Sequence, residues 1–309
     1  MSTSFNKGWL YTDVVTAKGS GQTVLDFYSQ RYTHSDRQTW QERIESGQIQ
    51  VDGHSVKTSH PLQLGQTLTY WRSPWAEPEV PLQLPILYRD EDLWAIDKPA
   101  GLPVLPGGDF VYNTVLEQLK IQYPQESLFP LHRLGTGTSG LLLLGRSPLA
   151  RQELSRQFRE HVCRKIYRTL IGPCTLPEQF ECHQAIGKIP YPQLGYIYAA
   201  TPNGKESHSY GKILARSADK TWLEVEITTG RPHQIRIHLA SLGYPLLGDR
   251  LYGPGGVPIV RATTARPSDG GYILHSHQLG FIHPRSHQKL TLTAPLPSDL
   301  TFSRQMAKE

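Results

Sequence analysis

The sequence predicts an α+β protein of two domains, a small one followed by a larger one. A chain of 309 residues is long for a single core and suits this division. Helical and strand patterns both occur on either side of the stretch RSPWAEPEVPLQLP, which carries four prolines that remove backbone donors and block helix. We therefore expect a first domain over residues 1–75, an extended linker over 76–85 and a second domain over 86–300.

Composition excludes some classes of protein and favours none strongly. The chain is 38% hydrophobic and 19% charged, and its longest apolar run, Leu141 to Leu144, is far below the roughly 18 residues that a membrane span needs. The first residues lack a basic segment followed by an apolar core, so we expect a cytoplasmic protein without a membrane partner. A net charge of +5 is compatible with a polyanionic partner, although many proteins are this basic.

The first domain carries two helical patterns and two strand patterns. Apolar spacing predicts helices over Val24 to Tyr32 and Ser35 to Ser46, the second with Ser35 as its N-cap. Short strands are predicted over Gln48 to Asp52 and Gly65 to Trp71, separated by turn residues.

The second domain opens with strands at Ile86 to Tyr88 and Leu93 to Ile96, followed by the turn-rich phrase KPAGLPV, for which we expect a structural role. The phrase HRLGTGTSGLLLLGR, residues 132–146, ends in a strand pattern. A helix is predicted over Pro148 to Glu160, with Leu149, Leu154 and Phe158 as candidates for its buried face. The phrases CRKIYRTLIG and Trp222 to Thr228 are strand-like, and IRIHLASLG begins a helix.

Two alternative interpretations of these residues, a dinucleotide site and a metal site, are disfavoured. Gly135, Gly137 and Gly140 satisfy GxGxxG, which in dinucleotide-binding proteins lies between a strand and a helix. Here a strand pattern follows the glycines, so we disfavour a dinucleotide. His233 and His238 have no evident third ligand, and the three cysteines lack CxxC spacing. We expect no metal and no small-molecule cofactor.

The phrases HRLGTGTSG and TGRPHQIRIHLASLGYPLLGDRLYG, residues 229–253, resemble the RluA-type pseudouridine synthase family. The phrases KPAGLPV, LHSHQLGFIHP and APLP also match it, so the resemblance covers nearly all of residues 84–299. It implies a mixed, largely antiparallel sheet with flanking helices, and an enzyme that isomerises uridine in RNA. The phrase IESGQIQVDG resembles the small αL RNA-binding domain of a ribosomal protein and many RNA-modifying enzymes.

The resemblance assigns roles to individual residues and exposes one vacancy. Family members carry their nucleophilic Asp at the position of Gly135, which has no side chain. The resemblance makes Tyr167 the residue that packs on the target uracil and takes the carbon-5 proton, and Arg236 the arginine that pairs with the catalytic carboxylate. Arg133 corresponds to the arginine that helps to hold the flipped-out uridine, because extruding a base leaves a gap that side chains must fill or clamp. Other candidate RNA contacts are His132, Lys165, Arg43 and Lys57.

The vacancy leaves two hypotheses open. If Arg236 is buried, something must compensate for the missing counter-charge. Asp97, Asp109 and Asp249 are candidates, with Asp109 preferred as the substitute carboxylate, and an RNA phosphate or a more hydrated pocket are the alternatives. The first hypothesis is an active RNA pseudouridine synthase, monomeric and acting on ribosomal rather than transfer RNA. The alternative is a catalytically silent RNA-binding protein or RNA chaperone on the same fold.

Overall fold

The computed structural model describes residues 5–192, 194–259, 265–266 and 268–302. The chain divides into two compact units, one of Met1–Glu77 with Pro190–Tyr196 and one of Pro78–Ile189 with Ile197–Glu309. The division between Glu77 and Pro78 falls within the segment that the prolines mark as a linker, most of which belongs to the second unit. Among the described residues, no helix is long and apolar enough to cross a membrane.

The first unit pairs two helices with a small antiparallel sheet. Its elements are β1 (Trp9–Val14), α1 (Val24–Arg31), α2 (Arg37–Glu45), β2 (Ile49–Val51), β3 (His54–Ser55) and β4 (Thr67–Arg72), and the strand order is β1-β4-β2-β3. Both helices begin at a side-chain cap, since Thr23 accepts from the Asp26 backbone N–H and Asp36 from that of Thr39. The prediction of Ser35 as the second cap is therefore wrong, because the neighbouring carboxylate takes that role.

A two-residue turn joins β2 and β3. Asp52 and Gly53 have φ values of 50° and 79°, the left-handed pair that a tight hairpin requires and that Asp-Gly adopts readily. The strand β1 was not predicted from the sequence, although its side chains alternate between half-buried and exposed along its length.

The second unit is built on one large mixed sheet. Its strands are β5 (Ile86–Arg89), β6 (Leu93–Lys98), β7 (Phe129–Pro130), β8 (Ser139–Gly145), β9 (Arg164–Ile171), β10 (Gln179–Cys182), β13 (Ser209–Arg216), β14 (Thr221–Ile227), β17 (Leu274–Ile282) and β18 (Lys289–Thr293). The order is β10-β13-β14-β9-β17-β8-β6-β5, with β18 paired to β17 and β7 to β8. The β17–β8 pair is parallel and the other pairs of this sheet are antiparallel, which confirms the predicted α+β class.

Outside the large sheet, the described part of the second unit holds three α-helices and two hairpins, except that the tip of one hairpin, Pro190–Tyr196, groups with the first unit. The helices are α3 (Val115–Gln122), α4 (Pro148–Arg159) and α5 (Gln234–Ser241), and the hairpins join β11 (Ile186–Tyr191) to β12 (Gly195–Ala200) and β15 (Tyr252–Gly253) to β16 (Val257–Pro258). The helix α3 and the strand β13 were not predicted.

The central strand β8 is buried on both faces. Leu142 and Leu144 pack with side chains of α3 and α5, whereas Leu141 and Leu143 pack with α4 on the opposite face. A continuous apolar run is typical of a strand covered on both sides. In α4 the prediction holds for Leu154, which is fully buried, and is wrong for Leu149, whose side chain faces solvent.

Candidate active site

The loop that carries Gly135 leads into β8, and hydrogen bonds from a buried lysine hold its backbone. Lys98 Nζ donates to the carbonyl oxygens of Pro99 (2.8 Å), Leu102 (2.7 Å) and Thr136 (3.3 Å). The side chain is fully buried, and burial lowers the pKa of Lys98 to about 7. The KPAGLPV phrase therefore fixes the backbone one residue beyond Gly135, a structural role as expected.

Each of the later glycines in this loop has a packing reason. A Cβ at Gly140, whose φ is +99°, would lie 2.3 Å from the carbonyl oxygen of Ser276 in β17. A Cβ at Gly137 would lie 2.9 Å from Cε1 and Cζ of Tyr272. The glycines lead into a strand, so the local structure differs from the strand–glycine–helix arrangement of a dinucleotide site.

The vacant position at Gly135 faces a tyrosine. Gly135 is exposed, and its backbone lies outside the left-handed region, so glycine is not needed there for its conformation. A Cβ at this position would lie 3.0 Å from Tyr272 Oη and 3.4 Å from Thr138 Oγ1. The phenol oxygen itself lies 3.3 Å from Thr138 Oγ1. Sequence reasoning missed Tyr272, because its separation from Gly135 along the chain hides their contact.

Arg236 packs on the ring of that tyrosine and has a counter-charge. Its guanidinium carbon is 4.1 Å from the Tyr272 ring centroid and 5.0 Å from that of Tyr252. Its Nε and Nη2 donate to the two carboxylate oxygens of Asp249 at 2.7 and 2.8 Å, and both side chains of this bidentate pair are almost fully buried. The prediction that Asp109 substitutes as its partner is wrong: Asp109 is more than half exposed, with an oxygen 3.9 Å from Arg266.

Asp249 is fixed by more than the arginine. One of its oxygens also accepts from the backbone N–H of Leu251 (2.9 Å) and Tyr252 (3.1 Å). Burial opposes its ionisation, but the guanidinium and these donors outweigh burial and hold the pKa of Asp249 below its usual range. Arg236 is therefore rigid and charged without any carboxylate at position 135.

The histidine that precedes α5 belongs to the same network. His233 has a left-handed φ of 57°, and its Nδ1 lies 2.7 Å from Tyr252 Oη. That hydroxyl donates its proton to the carbonyl of Tyr198, so the histidine Nδ1–H must be the donor to the phenol oxygen. Burial, with Arg236 second, lowers the pKa of His233 to about 3, which keeps the ring neutral. His238 is likewise engaged, with Ser209 Oγ and the carbonyl of Gln184 at 2.8 and 2.9 Å.

Tyr167 lies in β9, with its phenol among apolar neighbours. It is 9% exposed and shares one core cluster with Leu134 and Tyr272. Burial raises the pKa of Tyr167 to about 12, and a hydrogen bond with the Ser276 side chain opposes that shift. The phenol thus keeps its proton at neutral pH and has a hydroxyl partner on the adjacent strand.

Two residues predicted to contact RNA make hydrogen bonds within the second unit instead. Lys165 is buried, and its Nζ donates to the carbonyl oxygens of Thr228 (3.2 Å) and Thr229 (3.3 Å), at the entry to the TGRPHQ turn. The His132 ring stacks on Phe158, and its Nε2 accepts from the Leu143 backbone N–H at 3.0 Å. Burial lowers the pKa of His132 to about 3, so this ring carries no charge for phosphate.

Arg133 and Lys57 are the predicted cationic contacts that remain available. Arg133 is exposed, makes no hydrogen bond or ion pair to any other residue that the structure describes, and is close enough to His233 to influence it electrostatically. In the first unit, Lys57 is exposed after β3. Arg43 is half-buried, with its guanidinium 4.6 Å from the Trp40 ring centroid and its Nη1 bonded to Ser35 Oγ.

A cavity of about 810 Å³ adjoins the loop from the side of Lys98, Ser139 and His275. Its size would suit a small ligand. It reaches Tyr272 and Gly137, but Arg236 and Tyr167 are not among its lining residues. The cationic and aromatic groups predicted to act on a base therefore lie outside this cavity.

Comparison with known proteins places these features in context. The sequence pattern of the family described as RNA pseudouridylate synthase matches residues 92–241. The chain is 81% identical over 277 residues to an uncharacterized RNA pseudouridine synthase of Synechocystis, covering 90% of this chain and 95% of that one. It is 37% identical to RNA pseudouridine synthase 5 of Arabidopsis thaliana, covering 94% of each chain. It is 34% identical to ribosomal large subunit pseudouridine synthase D of Nitrosomonas europaea, over 71% of this chain and 64% of that one. Human RNA pseudouridylate synthase domain containing 1 shares the fold, with a TM-score of 0.58 at 23% identity over 73% of this chain and 89% of that one.

Proposed function

The chain belongs to the RNA pseudouridine synthase family, and we propose that it converts specific uridines in RNA into pseudouridine. In this isomerisation the bond from uracil N1 to the ribose C1′ breaks, and C5 of the rotated uracil takes its place. The observation that carries the proposal is that Tyr272 contacts both motifs, since its phenol oxygen lies 3.0 Å from a Cβ at position 135 and its ring centroid lies 4.1 Å from the Arg236 guanidinium carbon. The two phrases that define the family resemblance thus meet at a single site.

Each of the remaining residues suits one step of that reaction. Arg133 is exposed beside the Gly135 loop, where a guanidinium can bind phosphate or stabilise an extruded base. Tyr167 suits a relay, because its phenol can accept the C5 proton while it passes its own proton toward Ser276. Arg236 is held by Asp249 and stays charged throughout.

We further propose ribosomal RNA, rather than transfer RNA, as the substrate. Supporting this choice, the relatives from Nitrosomonas europaea and Neisseria meningitidis are both named for the ribosomal large subunit. The first unit would supply sequence-independent affinity through exposed cations such as Lys57, since phosphate contacts do not depend on base identity.

A second candidate function rests on the vacancy itself. Gly135 has no carboxylate, and Tyr272 Oη lies 3.0 Å from the Cβ position of residue 135, an arrangement that also suits a silent RNA-binding protein. This candidate predicts RNA binding that weakens with salt and no chemistry at C5.

The test is release of tritium from RNA labelled at uridine C5, isolated from cells that lack the protein and separated into ribosomal and transfer fractions. Wild type should release tritium from the ribosomal fraction, and Tyr167→Phe should be slower by at least about 100-fold, the usual contribution of a proton-transfer group. Tyr244→Phe is the matched control, since its phenol bonds Thr175 Oγ1 at 2.8 Å, away from these groups. No release by wild type, with salt-sensitive RNA binding intact, would refute the isomerase proposal in favour of the silent one.

A further inference from the structure

The phenol oxygen of Tyr272 lies close to the position from which a side chain at residue 135 would extend. Two bonds of about 1.5 and 1.2 Å at a trigonal carbon span roughly 2.4 Å from Cβ to a carboxylate oxygen. Tyr272 Oη lies 3.0 Å from the Cβ position of residue 135. A carboxylate oxygen on residue 135 and the phenol oxygen of Tyr272 would therefore lie at similar distances from the Cβ position.

The loop is shaped to receive this ring. Gly135 leaves room for the oxygen, and Gly137 leaves room for Cε1 and Cζ, which a Cβ would approach to 2.9 Å. Gly135 is exposed and adds no side chain over Tyr272, which is 5% exposed. The second glycine packs on the ring carbons.

The surroundings of the ring also suit an oxygen that gains negative charge. The Arg236 guanidinium lies 4.1 Å from the ring centroid, and a cation on an aromatic face is attracted more strongly as electron density on the ring rises. Thr138 Oγ1, 3.3 Å from the phenol oxygen, can donate a hydrogen bond to it. Arg236 is rigid through Asp249, so this arrangement exists before substrate binds.

We propose, resting on the isomerase function above, that Tyr272 is the catalytic nucleophile in place of an aspartate. Its oxygen bonds to ribose C1′ as the C1′–N1 bond breaks, and the phenol proton moves to the departing uracil, which leaves neutral. After the uracil rotates, C5 bonds to C1′ and the bond from C1′ to the phenol oxygen breaks. The C5 proton is then lost through Tyr167, and a proton returns to the Tyr272 phenoxide, so atoms and charge balance.

The experiment compares wild type, Tyr272→Phe, Gly135→Asp and the double variant Gly135→Asp/Tyr272→Phe on the same C5-tritiated ribosomal RNA. Removing the phenol oxygen leaves Thr138 Oγ1, 3.4 Å away, as the nearest neighbour of a Cβ at 135, so the double variant has room for its carboxylate. Tyr272→Phe should lose at least about 1,000-fold in rate. Its melting temperature and RNA affinity should match those of wild type, because the ring is retained. The double variant should regain activity relative to Tyr272→Phe, whereas Gly135→Asp alone should fall below wild type, because its Cβ would lie 3.0 Å from the phenol oxygen.

The outcomes separate this inference from the function on which it rests. An active wild type with an equally active Tyr272→Phe would overturn the tyrosine role and leave the isomerase function standing. A loss of RNA affinity equal to the loss of rate would assign Tyr272 to packing and also overturn its role. An inactive wild type with an active double variant would overturn both proposals, because Tyr272 would then only block a site that has no activity in wild type.

Discussion

Replacing Asp249 by Asn is expected to destabilise the second unit severely. The substitution keeps the size of the side chain but removes the charge that faces Arg236, whose side chain is 3% exposed. Removing one partner of a buried ion pair leaves an uncompensated charge and costs about 3 to 5 kcal/mol. The bonds from Leu251 and Tyr252 to the same oxygen also weaken, so we expect the upper part of that range.

The loss can be measured by urea denaturation followed by circular dichroism. With a slope of about 3 kcal/mol per molar urea, a loss of 3 to 5 kcal/mol lowers the midpoint by roughly 1 to 1.7 M. The sign of the pH dependence follows from the lowered pKa of Asp249. Its stabilising contribution is complete above the unfolded carboxyl pKa of about 4 and is lost as pH falls through the still lower folded value. Wild type and variant should therefore converge only in strong acid.

Asp109→Asn is the matched control, because it removes the same charge from an exposed side chain that lies 3.9 Å from Arg266. We expect a change below about 1 kcal/mol there. A double replacement, Arg236→Met with Asp249→Leu, should recover much of the lost stability, since apolar residues can replace a buried pair. Equal effects of Asp249→Asn and Asp109→Asn would refute the claim that Arg236 depends on Asp249.

Three further changes test the Gly135 loop and its surroundings. Gly137→Ala should lower the free energy of unfolding by about 1 to 3 kcal/mol in urea denaturation, because its Cβ would meet the Tyr272 ring at 2.9 Å. The control Gly172→Ala, with open space around it, should lower it by less than about 1 kcal/mol. Equal losses would contradict the packing argument. Lys98→Met should lower stability by about 1 to 3 kcal/mol in the same assay, because buried carbonyls lose their donor, and an unchanged midpoint would count against this role. Arg133→Ala should leave stability unchanged while RNA affinity falls and the slope of log affinity against log salt drops by about 1, and an unchanged slope would remove Arg133 from the phosphate contacts.

Local patterns in the sequence were enough for the helices that bury one face and for a strand that is apolar throughout. The helices α1, α2 and α4 carry apolar spacing behind a capping residue, and β8 is a continuous apolar run, so each was predicted within a few residues. The strand β13 alternates buried and exposed side chains, yet Ser, Gly and Ala hold several of its buried positions and give no apolar alternation to read. Small residues pack well in a sheet but leave little trace in hydrophobic periodicity.

The partners of the site residues could not be predicted from local patterns. Lys165 and His132 are polar residues in family motifs, and their burial depends on Thr228 and Phe158, which other elements supply. A match to a family motif identifies the position of a residue in the sequence, but it does not determine which residues its side chain contacts. Asp249 was one of three open candidates for the arginine, and the preference for Asp109, in the GGDF loop ahead of the HRLGTGTSG phrase, proved wrong because contact is set by the fold.

The missing carboxylate at position 135 therefore does not leave Arg236 without a counter-charge. A buried Arg236 would be costly without a counter-charge, but Asp249 supplies one with both carboxylate oxygens, so the fold does not require an anion at position 135. Introducing one by Gly135→Asp would meet the Tyr272 phenol instead of an empty space. Restoring the family residue alone is then a poor test of function, because an inactive Gly135→Asp variant would reflect the close approach of its Cβ to the Tyr272 phenol. The informative change alters positions 135 and 272 together.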